Sequence, residues 1–159
     1  MATILMAGDG EAYGSPELRR DRFLLDGARA QGRISVVEHT VAPHVLAGPL
    51  HLHTREDEYS LVLEGTLGAL LGEEEVLAGP GDFVSKPRGQ WHTFWNAGDS
   101  TLRILEIITP SGLEDLFKVL GKAGDKYDPE ELPALAAGYG CDVDFQGTAT
   151  LAERLGLRF

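Results

Sequence analysis

The sequence is poor in cysteine, in basic residues and in long hydrophobic runs. Its single cysteine, Cys141, excludes an internal disulfide. It has 14 Lys and Arg against 25 Asp and Glu, and the formal net charge of -11 repels phosphate backbones and anionic lipid. No apolar run is long enough to cross a bilayer, and residues 1–7 lack the basic and apolar parts of a secretory signal. We therefore expect a cytoplasmic protein without nucleic-acid or membrane partners.

Two common catalytic patterns are also missing. Gly8-Asp9-Gly10 is not followed by a third glycine at the spacing of a dinucleotide-binding loop, and no serine-elbow motif occurs. The acidic residues Glu56, Asp57 and Glu73–Glu75 lie at expected turns, and we interpret them as solvated surface. The sequence thus gives no support to nucleotide chemistry or to an acid–base pair among these carboxylates.

What the sequence has in abundance is turns. It contains 20 Gly and 8 Pro among 43% hydrophobic residues, a composition that suits many short strands. Residues 33–41 are rich in β-branched and apolar side chains, and Pro43 closes this early strand. From residue 51 to 109, short strands are separated by turn signals at Glu64-Gly65, Gly72-Glu73, Gly79–Asp82, Pro87–Gly89 and Ala97–Asp99. This spacing predicts a β-sandwich or barrel over residues 1–109.

Residues 110–159 have a helical period and are predicted to form a tail that packs on the barrel. Its apolar stripe consists of Leu113, Leu116, Phe117 and Leu120. Three helices are expected: one capped by Ser111 and stopped by Gly121, one from Asp128-Pro129 to about Gly138, and one from about Thr150 to Leu155 with Gly156 as its stop. A partner-binding role for the stripe stays open as an alternative.

Three histidines and one glutamate in the strand-rich block are candidate metal ligands. His51 and His53 share a face, because side chains alternate along a strand. Glu58 follows at an odd step, so residues 54–57 must turn the chain for it to begin a neighbouring antiparallel strand that faces the same interior. His92 would arrive from a later strand.

Imidazole nitrogens with one carboxylate oxygen suit a divalent transition metal far better than Ca²⁺ or Mg²⁺. The ligand set admits Fe, Mn, Co, Ni, Cu or Zn without choosing among them. Four protein ligands leave two open positions on an octahedral ion but close a tetrahedral zinc. Coordination number therefore decides whether the expected ion can bind a substrate.

Nine positions of the sequence resemble the two motifs of the cupin family. The first motif is matched by His51, His53, Glu58 and Gly65, and the second by Gly81, Pro87, Gly89, His92 and Asn96. Upstream, Val45 stands where the family has glycine. The lead-in strand and the tail resemble small bacterial single-barrel cupins described as quercetinase-like. The resemblance implies an all-β jelly-roll barrel with a C-terminal helical tail, and a metal held by His51, His53, Glu58 and His92.

Strand parity extends this expectation to the substrate cavity. Ser60 and Val62 share a face with Glu58, and Phe94 shares one with His92, so these three side chains are expected to line the cavity. By the same parity Trp91 and Trp95 face outward, and Trp95 is expected under the helical tail.

The other polar residues of this block are interpreted as structural. His39 and His44 are each more simply explained by exposure or by a structural hydrogen bond than by function. Asn96 is expected to hydrogen-bond a turn or strand end. Gln90 is placed at the edge of the cavity mouth.

The resemblance implies a metal-dependent enzyme on a small organic molecule, with a dioxygenase as the leading hypothesis. Glu58 would then stay a ligand or detach to accept the substrate proton. Two alternatives stay open: a non-oxidative isomerase, lyase or polyketide-type cyclase, and a non-enzymatic cupin that binds a small ligand or a metal. Cupins commonly form homodimers, and Ile4-Leu5-Met6 is predicted to add an edge strand that favours one.

Overall fold

The computed structural model describes residues 4–124 and 129–159, and this part of the chain contains eleven strands and three α-helices. The strands are β1 Ala12–Gly14, β2 Arg19–Leu25, β3 Ser35–Val41, β4 Leu50–His53, β5 Asp57–Glu64, β6 Leu67–Leu71, β7 Glu74–Ala78, β8 Phe83–Lys86, β9 His92–Asn96, β10 Leu102–Thr109 and β11 Cys141–Asp144. The helices are α1 Glu114–Ala123, α2 Leu132–Gly138 and α3 Phe145–Leu155, and a short 3-10 helix, Pro129–Glu131, precedes α2.

The strands form two sheets whose paired strands are all antiparallel. One sheet has the order β1-β2-β3-β10-β5-β8 and the other has the order β11-β4-β9-β6-β7. Apolar side chains from both sheets meet in one core, which includes Val41, Val62, Leu67, Leu102 and Ile104. This confirms the predicted fold class, a jelly-roll barrel with a helical tail.

Strand β10 shows how the sequence pattern builds the barrel. Its side chains alternate between buried and half-buried, and Leu102, Ile104, Glu106 and Ile108 are the buried ones. It pairs with β3 on one side and β5 on the other, so it has no free edge, and Ile104 is fully buried. A glutamate at one of these inward positions therefore needs a polar partner inside the barrel.

The chain changes sheets between β4 and β5. The prediction that residues 54–57 turn the chain is consistent with the gap between these strands, although β5 already begins at Asp57. Strand β5 does not pair with β4, as the sequence interpretation required, but lies in the opposite sheet between β10 and β8. Glu58 thus reaches the histidines across the barrel and not from a neighbouring strand.

The tail differs in detail from its prediction. Helix α1 has no side-chain cap from Ser111 and continues through Gly121 to Ala123, with Gly124 at its end at φ 51°. The Asp128 start predicted for the second helix lies outside the described residues, and α2 ends at Gly138 as expected.

The last part of the tail contains a strand that was not predicted and a helix that starts earlier than predicted. Cys141–Asp144 form β11, which pairs with β4, so the tail adds a strand to the barrel. Helix α3 starts at Phe145, earlier than predicted, because the Asp144 carboxylate accepts a hydrogen bond from the Gly147 N–H at 2.8 Å and caps it. Gly156 ends α3 in the left-handed conformation, as its position in the sequence suggested.

The tail covers two faces of the barrel. Leu113, which precedes α1, Leu116 of α1 and Ala136 of α2 pack with Phe23 and Ile108. Leu151 of α3 packs on Trp95 and Leu46, so Trp95 does lie under the tail. Trp91 points outward and is 38% exposed.

The N-terminal edge was predicted in the wrong place. Ile4, Leu5 and Met6 form no strand and are exposed. The edge strand is β1, in which Tyr13 pairs with Asp21 of β2. Within the described residues, no helix has the length and apolar character needed to span a membrane.

Candidate metal centre

Four side chains from three strands converge inside the barrel. Strand β4 supplies His51 and His53, β5 supplies Glu58, and β9 supplies His92. His51 and His92 are register partners on adjacent strands. One ligand atom from each of the four residues lies within 4.8 Å of the others.

The spacing of the donor atoms fits one shared ion. The Nε2 atoms of His51 and His53 are 3.1 Å apart. Oε2 of Glu58 lies 3.3 Å from Nε2 of His53 and 3.2 Å from Nε2 of His92. Adjacent ligands on an octahedral ion at about 2.1 Å would be about 3.0 Å apart. These separations leave a position between the four atoms for a transition-metal ion.

Backbone carbonyls fix the tautomers of two histidines. Nδ1 of His51 lies 2.6 Å from the Pro49 carbonyl oxygen, and Nδ1 of His92 lies 2.9 Å from that of Gln90. A carbonyl oxygen only accepts, so both Nδ1 atoms carry the proton and both Nε2 atoms present a lone pair to the centre. Two lone pairs and a carboxylate directed at one point form a donor set that a cation stabilises.

Nδ1 of the third histidine, His53, faces away from the centre. Within the described residues this atom has no hydrogen-bond partner, although it is buried. Cys141 of β11 is the register partner of His53 on β4. The strand contributed by the tail therefore covers the outer side of this candidate ligand.

A buried lysine and a second glutamate lie behind Glu58. Nζ of Lys86 is 3.4 Å from Oε2 of Glu58 and 2.8 Å from Oε2 of Glu106. The Ser60 hydroxyl donates to the same Glu106 oxygen at 2.8 Å. The Lys86 ammonium also lies 5.0 Å from the centre of the Phe94 ring. Lys86 and Glu106 are each 1% exposed or less, so this ion pair is fully desolvated.

The electrostatics of the donor set follow from these neighbours. Burial acts to raise the pKa of Glu58, but the charges of Lys86 and His53 outweigh it and hold that pKa well below its usual value. Burial acts to lower the pKa of His53, but the charge and hydrogen bond of the Glu58 carboxylate and the contact with Cys141 together outweigh it and raise that pKa to about 10. Burial and the neighbouring His92 and His53 lower the pKa of His51. The carboxylate is thus the fixed negative charge of the centre.

A family model for the cupin domain matches residues 37–108, the segment that holds all four candidate ligands. The chain therefore contains a cupin domain. It is 27% identical to quercetin 2,3-dioxygenase of Bacillus subtilis (strain 168) over 153 residues, which are 96% of the chain and 44% of the relative. The chain therefore spans less than half the length of that dioxygenase.

Two solved structures illustrate the likeness of the fold. The polyketide cyclase RemF from Streptomyces resistomycificus is 28% identical with a TM-score of 0.59, over 70% of this chain and 81% of that chain. KdgF from Halomonas sp. has a TM-score of 0.62 over 72% of this chain and 99% of that chain. At 15% identity, the likeness to KdgF shows the fold alone.

A cavity of about 520 Å³ opens onto two of the histidines of this cupin. His51 and His53 lie at one part of its wall, and Arg19 and Asp21 lie at another. The tail supplies much of the remaining wall through Leu113, Leu116, Phe117, Leu120, Leu132 and Phe159. The half-buried His51 is therefore the candidate ligand with the most open access to a small molecule.

The three side chains predicted to line the cavity lie elsewhere. Ser60, Val62 and Phe94 are absent from the lining of this cavity. Val62 and Phe94 belong to the barrel core, and Ser60 is fully buried and bonded to Glu106. Strand alternation correctly predicted that these three side chains face inward. The inward side chains of a narrow barrel fill its interior, however, and this cavity lies toward the tail.

One carboxylate interpreted as surface is buried. Glu56 is only 3% exposed, and burial raises its pKa. Asp57 is partly exposed and pairs with Arg88 at 2.7 Å, whereas Glu73–Glu75 are exposed as expected.

The structural interpretation of three other residues agrees with the contacts. His39 is buried, with Nδ1 2.7 Å from Oδ1 of Asp21, and the exposed His44 pairs with Asp99. The Asn96 amide donates to the carbonyl oxygens of Val41 and Ser100 at 2.9 and 2.7 Å. Asn96 therefore closes a turn and lies outside the donor set.

Sequence reasoning missed the charged residues around the centre. Lys86 and Glu106 both stand at buried positions of alternating strands, next to Val84 and between Ile104 and Ile108. A lysine and a glutamate each placed at an inward position are a signal for a buried pair. Because β10 carries apolar side chains on both faces, its sequence does not show which face is inward, and the position of Glu106 could not be assigned.

A second acidic group has structural partners. Asp26, Glu114 and Asp115 also approach one another. Lys118 pairs with both aspartates, and the Glu114 carboxylate accepts from the Gly27 N–H at 3.0 Å. These contacts tie the start of α1 to the barrel and account for the cluster without an ion.

Proposed function

We propose that this cupin is a metal-dependent enzyme that acts on a small organic molecule, with dioxygenation as the leading reaction. The observation that carries the proposal is the convergence of His51, His53, Glu58 and His92 beside a cavity of about 520 Å³. The similarity to a quercetin 2,3-dioxygenase over 96% of the chain supports the choice of reaction.

A divalent transition metal, Fe, Ni, Mn, Co, Cu or Zn, would act in this site as a Lewis acid toward an enol or catechol oxygen. The chain's own residues set the conditions for that chemistry. His51 and His92 are locked with Nε2 toward the centre by the carbonyls of Pro49 and Gln90. Glu58 stays ionised, because Lys86 offsets the cost of its burial. Its unprotonated state and its position beside the candidate metal would let it accept the proton of a metal-bound substrate hydroxyl, whose own acidity the metal would raise.

Oxygen uptake tests this proposal. Metal-reconstituted protein would be supplied with quercetin and with simple catechols, and compared with Glu58→Ala and His92→Ala variants. The exposed His44, in a His44→Ala variant, serves as the matched control. We expect oxygen consumption that is lost in the first two variants and kept in the control. Unchanged activity in the first two variants, when they carry no metal, would refute the proposal.

A non-oxidative reaction is the second candidate, and a specific likeness favours it. The polyketide cyclase RemF is 28% identical over 70% of this chain. The same donor set could polarise a carbonyl for an isomerase, lyase or cyclase without dioxygen. Turnover that proceeds at the same rate under anaerobic conditions would decide for this candidate.

We further propose that the protein is a cytoplasmic homodimer. Each sheet ends in a strand, β8 in one and β7 in the other, that carries an exposed apolar side chain, Phe83 and Leu77 respectively. Edge strands of this kind favour pairing with another chain. A monomer mass in light scattering at micromolar concentration would contradict the dimer.

A further inference from the structure

Two chemically different pairs of polar side chains line the cavity beside the metal centre. One pair is the imidazoles of His51 and His53, and the other is Arg19 and Asp21 of β2. The cavity volume of about 520 Å³ falls within the range of sites that enclose small organic ligands. The tail and the barrel together build it, so it is distinct from the filled interior around Val62 and Phe94.

Most of the remaining lining of the cavity is apolar. It includes Leu113, then Leu116, Phe117 and Leu120 of α1, and also Val45 and Ala47. Apolar walls of this kind favour burial of hydrocarbon surface and penalise any polar group without a partner. A ligand that fills the cavity must therefore be apolar along its length.

The guanidinium of Arg19 lines the cavity and keeps hydrogen-bond donors for a ligand. Nε and Nη2 of Arg19 donate to Asp21 at 2.7 and 3.0 Å, and Nη1 donates to the Ala47 carbonyl oxygen at 2.7 Å. These bonds use three of the five N–H donors of a guanidinium. The group also lies over the Phe117 ring, 4.8 Å from its centre, which fixes its plane.

The charge of the Arg19 guanidinium is already balanced. The Asp21 carboxylate accepts hydrogen bonds from Nε and Nη2 of Arg19 and also contacts Nδ1 of His39 at 2.7 Å. The ion pair of Arg19 and Asp21 carries no net charge, so a further anion would gain little attraction and would lose its hydration. An uncharged acceptor, such as a ketone or a phenol oxygen, loses much less on entering.

We propose that this cavity binds an uncharged, largely apolar ring compound with an oxygen that accepts a hydrogen bond from Arg19. The inference rests on the proposed function in one respect: a second oxygen of the same molecule would meet the metal. It names the substrate class that the activity would require.

Dye binding to metal-free protein tests the inference apart from the metal. The probe is prodan, a neutral dimethylaminonaphthalene with a ketone, whose emission shifts to the blue in apolar surroundings. Two comparison dyes are the same naphthalene amine without the ketone and the anionic anilinonaphthalene sulfonate. We expect prodan to bind more tightly than either of the other two dyes.

The variants identify the donor. Arg19→Met should weaken prodan binding by about tenfold, the scale of one hydrogen bond to a charged group, and leave the ketone-free amine unchanged. If Asp21 without its partner destabilises that variant, Arg19→Met together with Asp21→Asn removes the pair as a unit. Arg22→Met is the matched control, because Arg22 on the same strand pairs with Glu38 and does not line the cavity.

The outcomes separate the inference from the proposed function. We expect prodan binding to survive in a His51→Ala/His53→Ala variant, which would show that binding in the cavity does not depend on the metal ligands. Absence of prodan binding, tighter binding of the sulfonate dye, or equal loss of both naphthalenes in the Arg19 variants would overturn the inference. None of these dye-binding results bears on the metal content of the wild-type protein, which tests the proposed function separately.

Discussion

Nζ of Lys86 lies 3.4 Å from Oε2 of Glu58, the same oxygen that faces the imidazoles of His53 and His92. On its other side the ammonium contacts Glu106 at 2.8 Å. The carboxylate of the candidate metal centre is thus the end of a buried chain of charges that crosses the barrel. This arrangement keeps Glu58 ionised and fixes its orientation before any ion arrives.

The buried Lys86–Glu106 pair should be costly to break from one side. In metal-free protein, Lys86→Met is expected to lower the free energy of unfolding by about 3–5 kcal/mol, because it leaves carboxylates buried without a cation. Adding Glu106→Gln to the same chain should recover a large part of that loss. Urea denaturation of the two single variants and the double variant measures the coupling.

An exposed ion pair provides the comparison for this cycle. Arg88 pairs with Asp57 at the surface, and its side chain is 49% exposed. Arg88→Met should change the free energy of unfolding by less than about 1 kcal/mol. A loss of similar size for Lys86→Met would mean that the buried pair does not have the role assigned to it.

Acid should destabilise the protein through Asp21. Burial acts to raise the pKa of Asp21, but the charge of Arg19 and the charge and hydrogen bond of His39 outweigh it and hold the pKa below the ordinary value of 3.8. A carboxyl group with a lowered pKa contributes stability that is fully present above its ordinary pKa and is lost as the pH falls toward the folded value. Stability should therefore decline below about pH 4.

The measurement is the unfolding free energy of metal-free protein across the acid range. Asp21→Asn should be less stable near neutral pH and should show a shallower decline between about pH 5 and pH 2. Asp142→Asn, which alters an exposed side chain, is the control and should keep the wild-type slope. Identical slopes for Asp21→Asn and wild type would contradict the assignment.

The contact between β6 and Trp95 leaves no room for a methyl group. A Cβ added at Gly68 would overlap the indole of Trp95. Gly68→Ala should therefore lower the free energy of unfolding by about 1–3 kcal/mol and shift the fluorescence of Trp95.

Gly98→Ala tests whether the effect is specific to that contact. A Cβ at Gly98 would lie 3.6 Å from its nearest neighbours on Asn96 and Thr66, an ordinary contact. This variant should stay within about 0.5 kcal/mol of wild type. Equal stability of the two alanine variants would show that α3 and Trp95 can shift to accept the methyl group.

The sequence predicted the parts of the molecule that depend on local pattern. Alternation placed His51 and His53 on one face, and turn signals marked most strand ends, so the barrel and the grouping of candidate ligands could be stated in advance. The resemblance in motif added His92 to that group. The Gly156 stop of α3 also followed from a local rule.

Features that depend on distant contacts could not be predicted in the same way. Strand β11 forms because Cys141–Asp144 meets the free edge of β4, which local propensity does not reveal. The cavity lies between the barrel and α1, so parity within β5 and β9 could not locate it. The Lys86–Glu106 pair joins residues 20 positions apart, and only the register of β5, β8 and β10 brings them together.

Metal content is the most direct test of the central claim, that His51, His53, Glu58 and His92 hold one divalent transition metal. Untagged protein purified without chelators would be analysed by mass spectrometry beside a His51→Ala/His53→Ala variant and a His44→Ala control. The account predicts close to one Fe, Ni, Mn, Co, Cu or Zn per chain in wild type and control, and none in the double variant. Wild-type protein that takes up no metal even after reconstitution, or a double variant that keeps it, would contradict the account.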